Sequence, residues 1–519
     1  MKLTTAEIFQ DNMILQRGVP VRIWGNTAPG TKVTVSIQSS QCMVTSDPDG
    51  YFEAQIPALE ASVCEELVVS SGNEKLIFQN VAVGEVWLAG GQSNMEFQML
   101  YDKEYEVFSE ICENRLIRMY DVARIASDYH KEKFDYSLYN YWRTASCDEL
   151  KYFSAVAYYF ARHLQDDLKV PVGIINCSWG GTRSACWMDR ESLLSAGKVW
   201  LDDYETGLAA IEDPEAARQE YFSSNLTDPA DPFGNEIRNR LMKGMTQEEL
   251  DSLKSMFEDN SIGAAIGDWH EWRPNALYEY MLKTVMPYTI RGAIYYQGES
   301  DCDHPQIYSE MLRALVLCWR QGFKENFPFL MTQLAPLDGE EGAEYPELRR
   351  QQERAASMIP DVWCASIGDV GNIFDIHPKE KRPVGERLAL LARKHVYGES
   401  ILADAPVGIS LERQENSLII KCENVQGGLI MKEGRTPLII RDHSGAIVEQ
   451  TDYDLEINKD SLFIKFNILL QKTPYEVQFA SSAYYKVNLY NMSEIPMKPF
   501  ILKEKEHDNK ADMNRNSII

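Results

Sequence analysis

Two segments that lie far apart in the chain carry the residue types that perform acyl transfer. The turn after EVWLA leads through glycines to Ser93, and the later segment DIHP holds Asp375 and His377. A serine hydroxyl attacks a carbonyl only when a base removes its proton, and the usual base is an imidazole oriented by a carboxylate. Residues two apart in an extended segment point to the same side, which brings Asp375 towards the Nδ1 atom of His377. The pattern predicts a catalytic triad of Ser93, His377 and Asp375.

Acyl transfer also needs hydrogen-bond donors for the oxyanion of the tetrahedral intermediate, and two further loops supply candidates. Gly181 lies in the loop SWGGTRSACW, and Gln297 lies in YYQGESD. A single donor of this kind commonly contributes about 3 kcal/mol to catalysis. We expect the backbone amides of Ser93 and Gly181 and the side-chain amide of Gln297 to form the oxyanion hole.

All of these residues follow candidate strands of one α/β unit, which we assign to residues 84–398. In this region apolar strand segments alternate with helical segments, the pattern of a parallel sheet with helices on both faces. The ligand crevice of such a sheet lies beyond the carboxyl ends of its strands, which is where these loops fall. The candidate strands are EVWLA (85–89), VGIINC (172–177), GAIYY (292–296), FLMTQL (329–334) and VWCASI (362–367), and the clearest helices are Ala155–Leu168 and Ile307–Phe323.

Two β-rich regions flank the α/β unit. Residues 1–83, a β-sandwich-like module, and residues 399–503 consist of short apolar or alternating segments separated by turns. Residues 189 to about 275 interrupt the α/β pattern with acidic helical segments, which indicates an insertion, and residues 504–519 have the composition of a flexible tail. The predicted fold class is therefore α/β, a parallel sheet sandwiched by helices with N- and C-terminal β-rich modules.

The composition is that of a folded protein and argues against several classes of partner. The chain has 519 residues and a formal net charge of −26, which repels nucleic acid phosphates and anionic lipid surfaces. No segment reaches about 18 consecutive apolar residues, and the first residues lack the apolar core of a secretory signal. The ten cysteines form no C-x-x-C pair, and the cluster from Asp301 to His304 matches no zinc site. We expect a cytoplasmic protein without metal, cofactor, nucleic acid or membrane partners.

Four motifs in combination resemble the sialate O-acetylesterase branch of the SGNH hydrolases. They are GQSNM at 91–95, WGGT at 179–182, YYQGESD at 295–301, and DIHP with the K-x-x-VGERLA pattern after it. The two ends of the chain agree, because NMILQRGVPVRIWG and VNLYNMSEIPMKPF are similar to the terminal β regions of that family. The resemblance implies an SGNH-type fold and a serine esterase that removes O-acetyl groups from carbohydrate.

The resemblance also implies a role for individual residues. Ser93 matches the nucleophile of the first motif and Gly181 the oxyanion glycine of the second, while Gln297 stands where the wider superfamily usually has asparagine.

The last motif departs from the superfamily's D-x-x-H, because Phe374 stands three residues before His377. Two carboxylates therefore compete for the orienting role. Asp375 is our choice, and Glu299 of QGESD is the rival.

The loop around WGGT also offers candidates for sugar binding. Trp179 and Trp187 of this loop, and Trp269 and Trp272 of the insertion, have aromatic faces that suit the apolar faces of pyranose rings, although tryptophans are as often buried in a core. Arg183 suits either a sialic acid carboxylate or a nearby acidic side chain. The substrate partner is thus an acetylated carbohydrate, either sialic acid or an acetylxylan- or acetylmannan-type oligosaccharide. A third interpretation is a non-catalytic protein that binds glycans without turnover.

Overall fold

The computed structural model describes residues 2–223, 229–252, 265–470 and 475–504, so the tail predicted at 504–519 lies outside the described residues except for Glu504.

The N-terminal region consists of short strands in two sheets. They are β1 Thr4–Thr5, β2 Ile14–Gln16, β3 Val21–Asn26, β4 Lys32–Ile37, β5 Ser40–Thr45, β6 Tyr51–Ile56, β7 Ser62–Ser71 and β8 Glu74–Gly91. One sheet has the order β1-β3-β6, and in the other β4 pairs with β5 and β7 while β7 pairs with β8. These pairs are antiparallel.

Strand β8 joins the N-terminal region to the α/β unit. Its first residues pair with β7 and are exposed or half-buried, whereas residues 81–91 are all buried. A continuous buried run is typical of a strand inside a parallel sheet. The boundary predicted between residues 83 and 84 therefore falls inside one strand, and buried side chains on both sides of it belong to one hydrophobic cluster.

The α/β unit is organised around a sheet that β8 shares with six later strands. They are β9 Asn114–Asp121, β10 Trp142–Ala145, β11 Val172–Ser178, β12 Gly292–Tyr296, β13 Phe329–Thr332 and β14 Val362–Ala365. The order is β10-β9-β11-β8-β12-β13-β14. Neighbouring strands are parallel, except that β10 runs antiparallel to β9. All five strand segments expected from the sequence lie in this sheet, and it also contains β9 and β10, which the sequence did not indicate.

The α/β unit also contains helices, some of which pack on the faces of the sheet. The helices are α1 Ser93–Glu96, α2 Tyr105–Ser109, α3 Asp128–Lys133, α4 Ala155–Leu168, α5 Arg190–Ala196, α6 Lys198–Ala209, α7 Pro214–Ser223, α8 Glu236–Lys243, α9 Lys283–Val285, α10 Tyr308–Phe323, α11 Gly339–Gly342, α12 Tyr345–Met358 and α13 Arg382–His395. Trp87 of β8 packs edge-on against Phe160 of α4, whereas Gly90 lies under the Trp319 ring of α10. Residues three apart on a strand face opposite sides, so α4 and α10 cover opposite faces.

The C-terminal region is again antiparallel and has its own core. Its strands are β15 Val407–Gln414, β16 Ser417–Glu423, β17 Ile430–Met431, β18 Leu438–Arg441, β19 Tyr453–Asn458, β20 Ser461–Phe466, β21 Glu476–Phe479, β22 Leu489–Tyr490 and β23 Phe500–Lys503. They form the sheets β15-β16-β20-β19 and β18-β21-β23 and the pair β17-β22. Their buried side chains form a second hydrophobic cluster.

The whole is a mixed α/β fold, as the sequence predicts. Among the described residues, none of the helices combines the length and the apolar composition that crossing a membrane requires.

Candidate active site

A cavity of about 360 Å³ lies where the strand-end loops meet. Its wall includes Ser93 from the loop after β8, Gly181 from the loop after β11, Ser300 from the loop after β12 and His377 from the loop after β14. The crevice expected beyond the carboxyl ends of the parallel strands is therefore present. It brings together three of the residues that the sequence singles out for chemistry.

Close packing of the β8 turn determines where Ser93 lies. Gly91 has φ +141°, and a Cβ atom there would lie 2.1 Å from the Tyr296 carbonyl oxygen, so only glycine fits. The turn is thus held against β12, and Ser93 begins the four-residue helix α1. The Ser93 side chain is buried apart from the surface it presents to the cavity. Among the described residues its hydroxyl has no hydrogen-bond partner, so it makes no structural bond there.

The His377 imidazole lines the same cavity and is held in its neutral form. Burial lowers its pKa well below the usual 6.5, and the positive charges of Lys379, Lys381 and Arg238 lower that pKa further. Its Nδ1 atom is buried without a hydrogen-bond partner in the described part of the chain. No hydrogen bond joins the imidazole to Ser93 within the described residues. Such bonds are often long before substrate binds, and a neutral imidazole beside a serine retains the capacity of a general base.

The structure does not bring the Asp375 carboxylate to the imidazole. Oδ1 of Asp375 accepts a hydrogen bond of 2.9 Å from the backbone amide of His377, and Oδ2 pairs with Nζ of Lys379 at 3.0 Å. Aspartate commonly bonds the backbone amide two residues on, and this local turn satisfies the carboxylate before it can reach the ring. The contact predicted from the D-x-H spacing is not made.

The rival carboxylate, Glu299, lies in a buried network centred on Asn94. Nδ2 of Asn94 donates to Oε1 of Glu299 at 2.5 Å and to the carbonyl of Ile376 at 3.1 Å. Lys381 donates to Oδ1 of the same amide. One side chain therefore ties helix α1 to the QGES turn and to the loop that carries His377. Oε2 of Glu299 is buried and has no partner among the described residues. Asn94 was not among the predicted site residues, although it directly follows Ser93 in GQSNM.

Two backbone amides at the cavity wall remain free to donate. Gly181 has φ +74°, which favours glycine, and a Cβ atom added there would lie 3.5 Å from the indole nitrogen of Trp272. Neither the Gly181 amide nor the Ser93 amide has a hydrogen-bond acceptor within the described residues. The sequence predicted that both amides hold the oxyanion, and an oxyanion hole requires backbone amides that are free to donate.

Gln297 lies behind the cavity rather than in its wall. It is fully buried, and its amide nitrogen donates to the carbonyl of Thr182 at 3.3 Å and to the carboxylate of Asp301. Its amide oxygen accepts from the Tyr308 hydroxyl at 2.9 Å. Both amide hydrogens are therefore engaged, and the side chain is not free to act as the third oxyanion donor. Its contact with Thr182 instead supports the loop that carries Gly181.

Glu96, Arg124 and Arg238 form an ion cluster on another wall of the cavity, and no sequence motif indicated it. Glu96 of α1 accepts hydrogen bonds from Arg124 and Arg238, and from the amide of Gly180 at 2.5 Å. Burial alone would raise the pKa of Glu96, but the two guanidinium groups outweigh it and hold that pKa below its ordinary value. Arg238 belongs to the segment 189–275 that we interpret as an insertion, so this segment contributes directly to the cavity.

Of the five predicted sugar-binding residues, Trp179 alone lines this cavity as the structure describes it, and neither Trp269 nor Trp272 is in its wall. The Trp179 ring lies edge-on to the ring of His130. Trp187 is fully buried, and its indole nitrogen donates to Oγ1 of Thr182 at 3.0 Å, so it is a core residue. Arg183 lies outside the cavity and pairs with Asp303 at 2.8 Å.

Comparison with known proteins agrees with this chemistry. Residues 210–392 match the family model SASA, described as a carbohydrate esterase, sialic acid-specific acetylesterase. Mouse sialate O-acetylesterase is 26% identical over 439 residues, which cover 76% of this chain and 74% of the mouse protein. Human sialate O-acetylesterase is 24% identical over 435 residues, which cover 76% of this chain and 72% of the human protein.

A solved structure extends the likeness to nearly the whole molecule. The structure of a carbohydrate acetylesterase from Xanthomonas citri has a TM-score of 0.73 and 25% identity, with 97% of this chain and 100% of that chain covered. The resemblance of the sequence motifs to the sialate O-acetylesterase family is thus confirmed, and the protein is a carboxylic ester hydrolase related to the carbohydrate O-acetylesterases.

Proposed function

We propose that the protein is a serine esterase that removes O-acetyl groups from carbohydrates through an acetyl-enzyme intermediate. The observation that carries the proposal is the shared cavity, where a serine hydroxyl without a structural bond, a neutral histidine and two unengaged backbone amides line one space. An SGNH-type arrangement is part of the proposal, and the parallel order of the strands that carry these loops supports it.

In the proposed reaction Ser93 and His377 share the proton transfers. Oγ of Ser93 attacks the acetyl carbonyl while His377 takes its proton, and the amides of Ser93 and Gly181 hold the oxyanion. The intermediate collapses when the bond to the sugar oxygen breaks, and His377 gives its proton to that oxygen. Water then attacks the acetyl carbonyl on Ser93 while His377 takes one of its protons, the bond to Oγ of Ser93 breaks, His377 returns the proton to Oγ, and acetic acid leaves. The net reaction consumes one ester and one water and yields the free sugar hydroxyl and acetic acid.

We propose Glu299, rather than Asp375, as the residue that orients His377. The Asp375 carboxylate already binds Nζ of Lys379 and the backbone amide of His377. By contrast, Oε2 of Glu299 and Nδ1 of His377 are both buried without partners among the described residues. The side-chain amide of Asn94 donates both to Glu299 and to the carbonyl of Ile376, the residue before His377. These two bonds keep the Glu299 carboxylate beside the loop that carries His377. We propose that rotation of one of these side chains during turnover brings Oε2 of Glu299 to Nδ1 of His377.

This assignment predicts unequal effects of two isosteric substitutions. Glu299→Gln should lower kcat on p-nitrophenyl acetate by at least about tenfold, because the imidazole loses the carboxylate that holds its productive tautomer. Asp375→Asn is the matched control, since an asparagine oxygen still accepts the bond from the His377 amide. Its kcat should stay within about threefold of the wild-type value. A larger loss in Asp375→Asn than in Glu299→Gln would restore Asp375 as the orienting residue.

The low pKa of His377 predicts activity that persists in acid. The neutral imidazole is the base, so protonation stops the reaction, and a depressed pKa moves that loss to lower pH. We expect kcat/KM to be unchanged as the pH falls through 6.5, the usual value for histidine, and to decline only well below it.

Removing one of the neighbouring charges tests the cause of that low pKa. Lys379→Gln should move the acid limb to higher pH, because a positive charge near His377 is lost. Lys103→Gln, a change at an exposed lysine that pairs with Glu380, should leave the profile in place. An acid limb centred at 6.5 in the wild-type enzyme would contradict the neutral-base assignment.

Substrate choice is tested by acetate release from a panel of sugars. The panel contains O-acetylated sialic acid and acetylated xylo- and manno-oligosaccharides, each at equal ester concentration. Acetate release from any of them supports the proposed esterase, and the ratio of kcat/KM values identifies the sugar. Retention of these glycans without acetate release would instead indicate a carbohydrate-binding protein.

A further inference from the structure

A second cavity, of about 310 Å³, lies beside the first. The two cavities adjoin, because Glu271 lines the first and Trp272 the second, and a Cβ atom added to Gly181 of the first would lie 3.5 Å from the Trp272 indole nitrogen. Arg183, two residues beyond Gly181 in the same loop, also lines the second cavity. The second cavity therefore adjoins the side of the active site where the free Gly181 amide lies. Its volume is within the range of small-ligand sites.

The walls of the second cavity combine aromatic faces with paired charges. Tyr204 and Trp272 supply the accessible aromatic surface, and Trp272 is 38% exposed, whereas Trp200 lies buried beneath Arg183. Aromatic rings suit the apolar faces of sugars, and polar groups beside them suit the hydroxyls.

The charged side chains of this cavity are already paired. Arg183 binds Asp303 at 2.8 Å and lies over the Trp200 ring, with 4.4 Å between its guanidinium carbon and the ring centre. Asp203 accepts a hydrogen bond of 2.8 Å from Nε2 of His304. Because each charged group already has a partner, the cavity favours an uncharged polar ligand over an ion.

We propose that the second cavity binds the neutral sugar unit that is linked to the acetylated one. The inference rests on the proposed function, since it requires the acetyl group at Ser93 and the next sugar in the adjoining cavity, with the glycosidic link passing Gly181 and Trp272. It makes the enzyme an oligosaccharide esterase, which hydrolyses an acetyl ester faster when the acetylated sugar is glycosidically linked than when it is free.

Gly207 allows the cavity to be narrowed without touching the active site. It lies in the cavity wall near the end of α6, and a Cβ atom there would meet no atom within 4 Å. Gly207→Phe should therefore fold normally and occupy space at the cavity wall. Gly207→Ala is the matched control, because it adds a single methyl group at the same position. Tyr204→Ala is a second variant that removes part of the aromatic surface.

The experiment compares linked and free substrates that carry the same acetyl ester. The probes are acetylated xylotriose against acetylated methyl xyloside, and 9-O-acetylated sialyllactose against free 9-O-acetylated N-acetylneuraminic acid. For the sugar that is hydrolysed, we expect kcat/KM for the linked form to exceed that of the free form by about tenfold. Gly207→Phe and Tyr204→Ala should remove most of this advantage, and Gly207→Ala should keep it. All variants should hydrolyse p-nitrophenyl acetate at the wild-type rate.

Failure of this inference is distinguishable from failure of the proposed function. Equal kcat/KM values for linked and free sugars, or a full advantage retained in both Gly207→Phe and Tyr204→Ala, would overturn the sugar site while p-nitrophenyl acetate turnover persists. Direct titration provides a readout that needs no catalysis. Unacetylated xylotriose and unacetylated sialyllactose should quench the tryptophan fluorescence of Ser93→Ala, and adding Gly207→Phe should weaken the Kd about tenfold. Binding of neither sugar, or a Kd unaffected by Gly207→Phe, would also overturn the sugar site.

Discussion

Ser93→Ala is expected to lower kcat on p-nitrophenyl acetate by at least about a thousandfold, because the covalent route through acetyl-Ser93 disappears. The fold should not change, since the Ser93 hydroxyl makes no hydrogen bond within the described residues. Far-UV circular dichroism and the Tm should therefore match those of the wild-type enzyme. The residual rate would reflect the remaining groups of the cavity acting on water.

Ser300 provides a matched control for this substitution. It is a second serine in the wall of the same cavity, and it follows β12 rather than β8. Ser300→Ala should keep kcat within about threefold of the wild-type value, as expected for a residue outside the chemical step. Undiminished kcat in Ser93→Ala, or an equally large loss in Ser300→Ala, would remove Ser93 from the nucleophile role.

His377→Ala is expected to have an effect of similar size, with kcat reduced by at least about a thousandfold. The serine hydroxyl keeps its proton at neutral pH when no base takes it, and the departing sugar oxygen loses its proton donor. Residues that act as one unit are not additive, so Ser93→Ala/His377→Ala should be no slower than Ser93→Ala alone within about threefold.

A histidine away from the cavity serves as the control for His377→Ala. His163 lies on α4 and contacts Asp167 at 3.4 Å. His163→Ala should leave kcat unchanged. Losses that multiply in the double variant would instead mean that Ser93 and His377 contribute independently, which an acetyl-enzyme mechanism does not allow.

The sequence was sufficient to locate most of the central sheet. The buried strands appear as continuous apolar runs, and GAIYY has the same bounds, 292–296, in the structure. β9 was missed because NRLIRMYD contains charged residues, and one of them, Arg118, is buried. Its guanidinium is satisfied by the carbonyls of Asn12 and Asn80, which are more than thirty residues away in sequence. A local sequence pattern cannot indicate hydrogen-bond partners that lie so far away in the chain.

The candidate site was predictable in its location but not in its side-chain contacts. Ser93, Gly181 and His377 line one cavity as expected, because each follows a strand whose carboxyl end must face the crevice. Asp375 and Gln297 have suitable residue types, yet their hydrogen-bonding groups are engaged by near neighbours.

Other contributors to the site came from parts of the sequence that carried no signal. Arg238 reaches Glu96 from a segment without a recognisable motif. Trp187, which was predicted to bind sugar through its aromatic face, is instead buried in the core, where its indole nitrogen donates to Thr182. These outcomes depend on which neighbour is nearest in space, and residue spacing does not encode that distance.

The most direct test of the central claim is the position of the covalent label left by an aryl phosphonate ester. Such a reagent phosphonylates a serine that a neighbouring base activates, and mass spectrometry of the digested enzyme locates the modified residue. We predict loss of esterase activity in step with one label per chain on Ser93, and little labelling of His377→Ala. A label on another residue, or complete inhibition with Ser93 unmodified, would contradict the account.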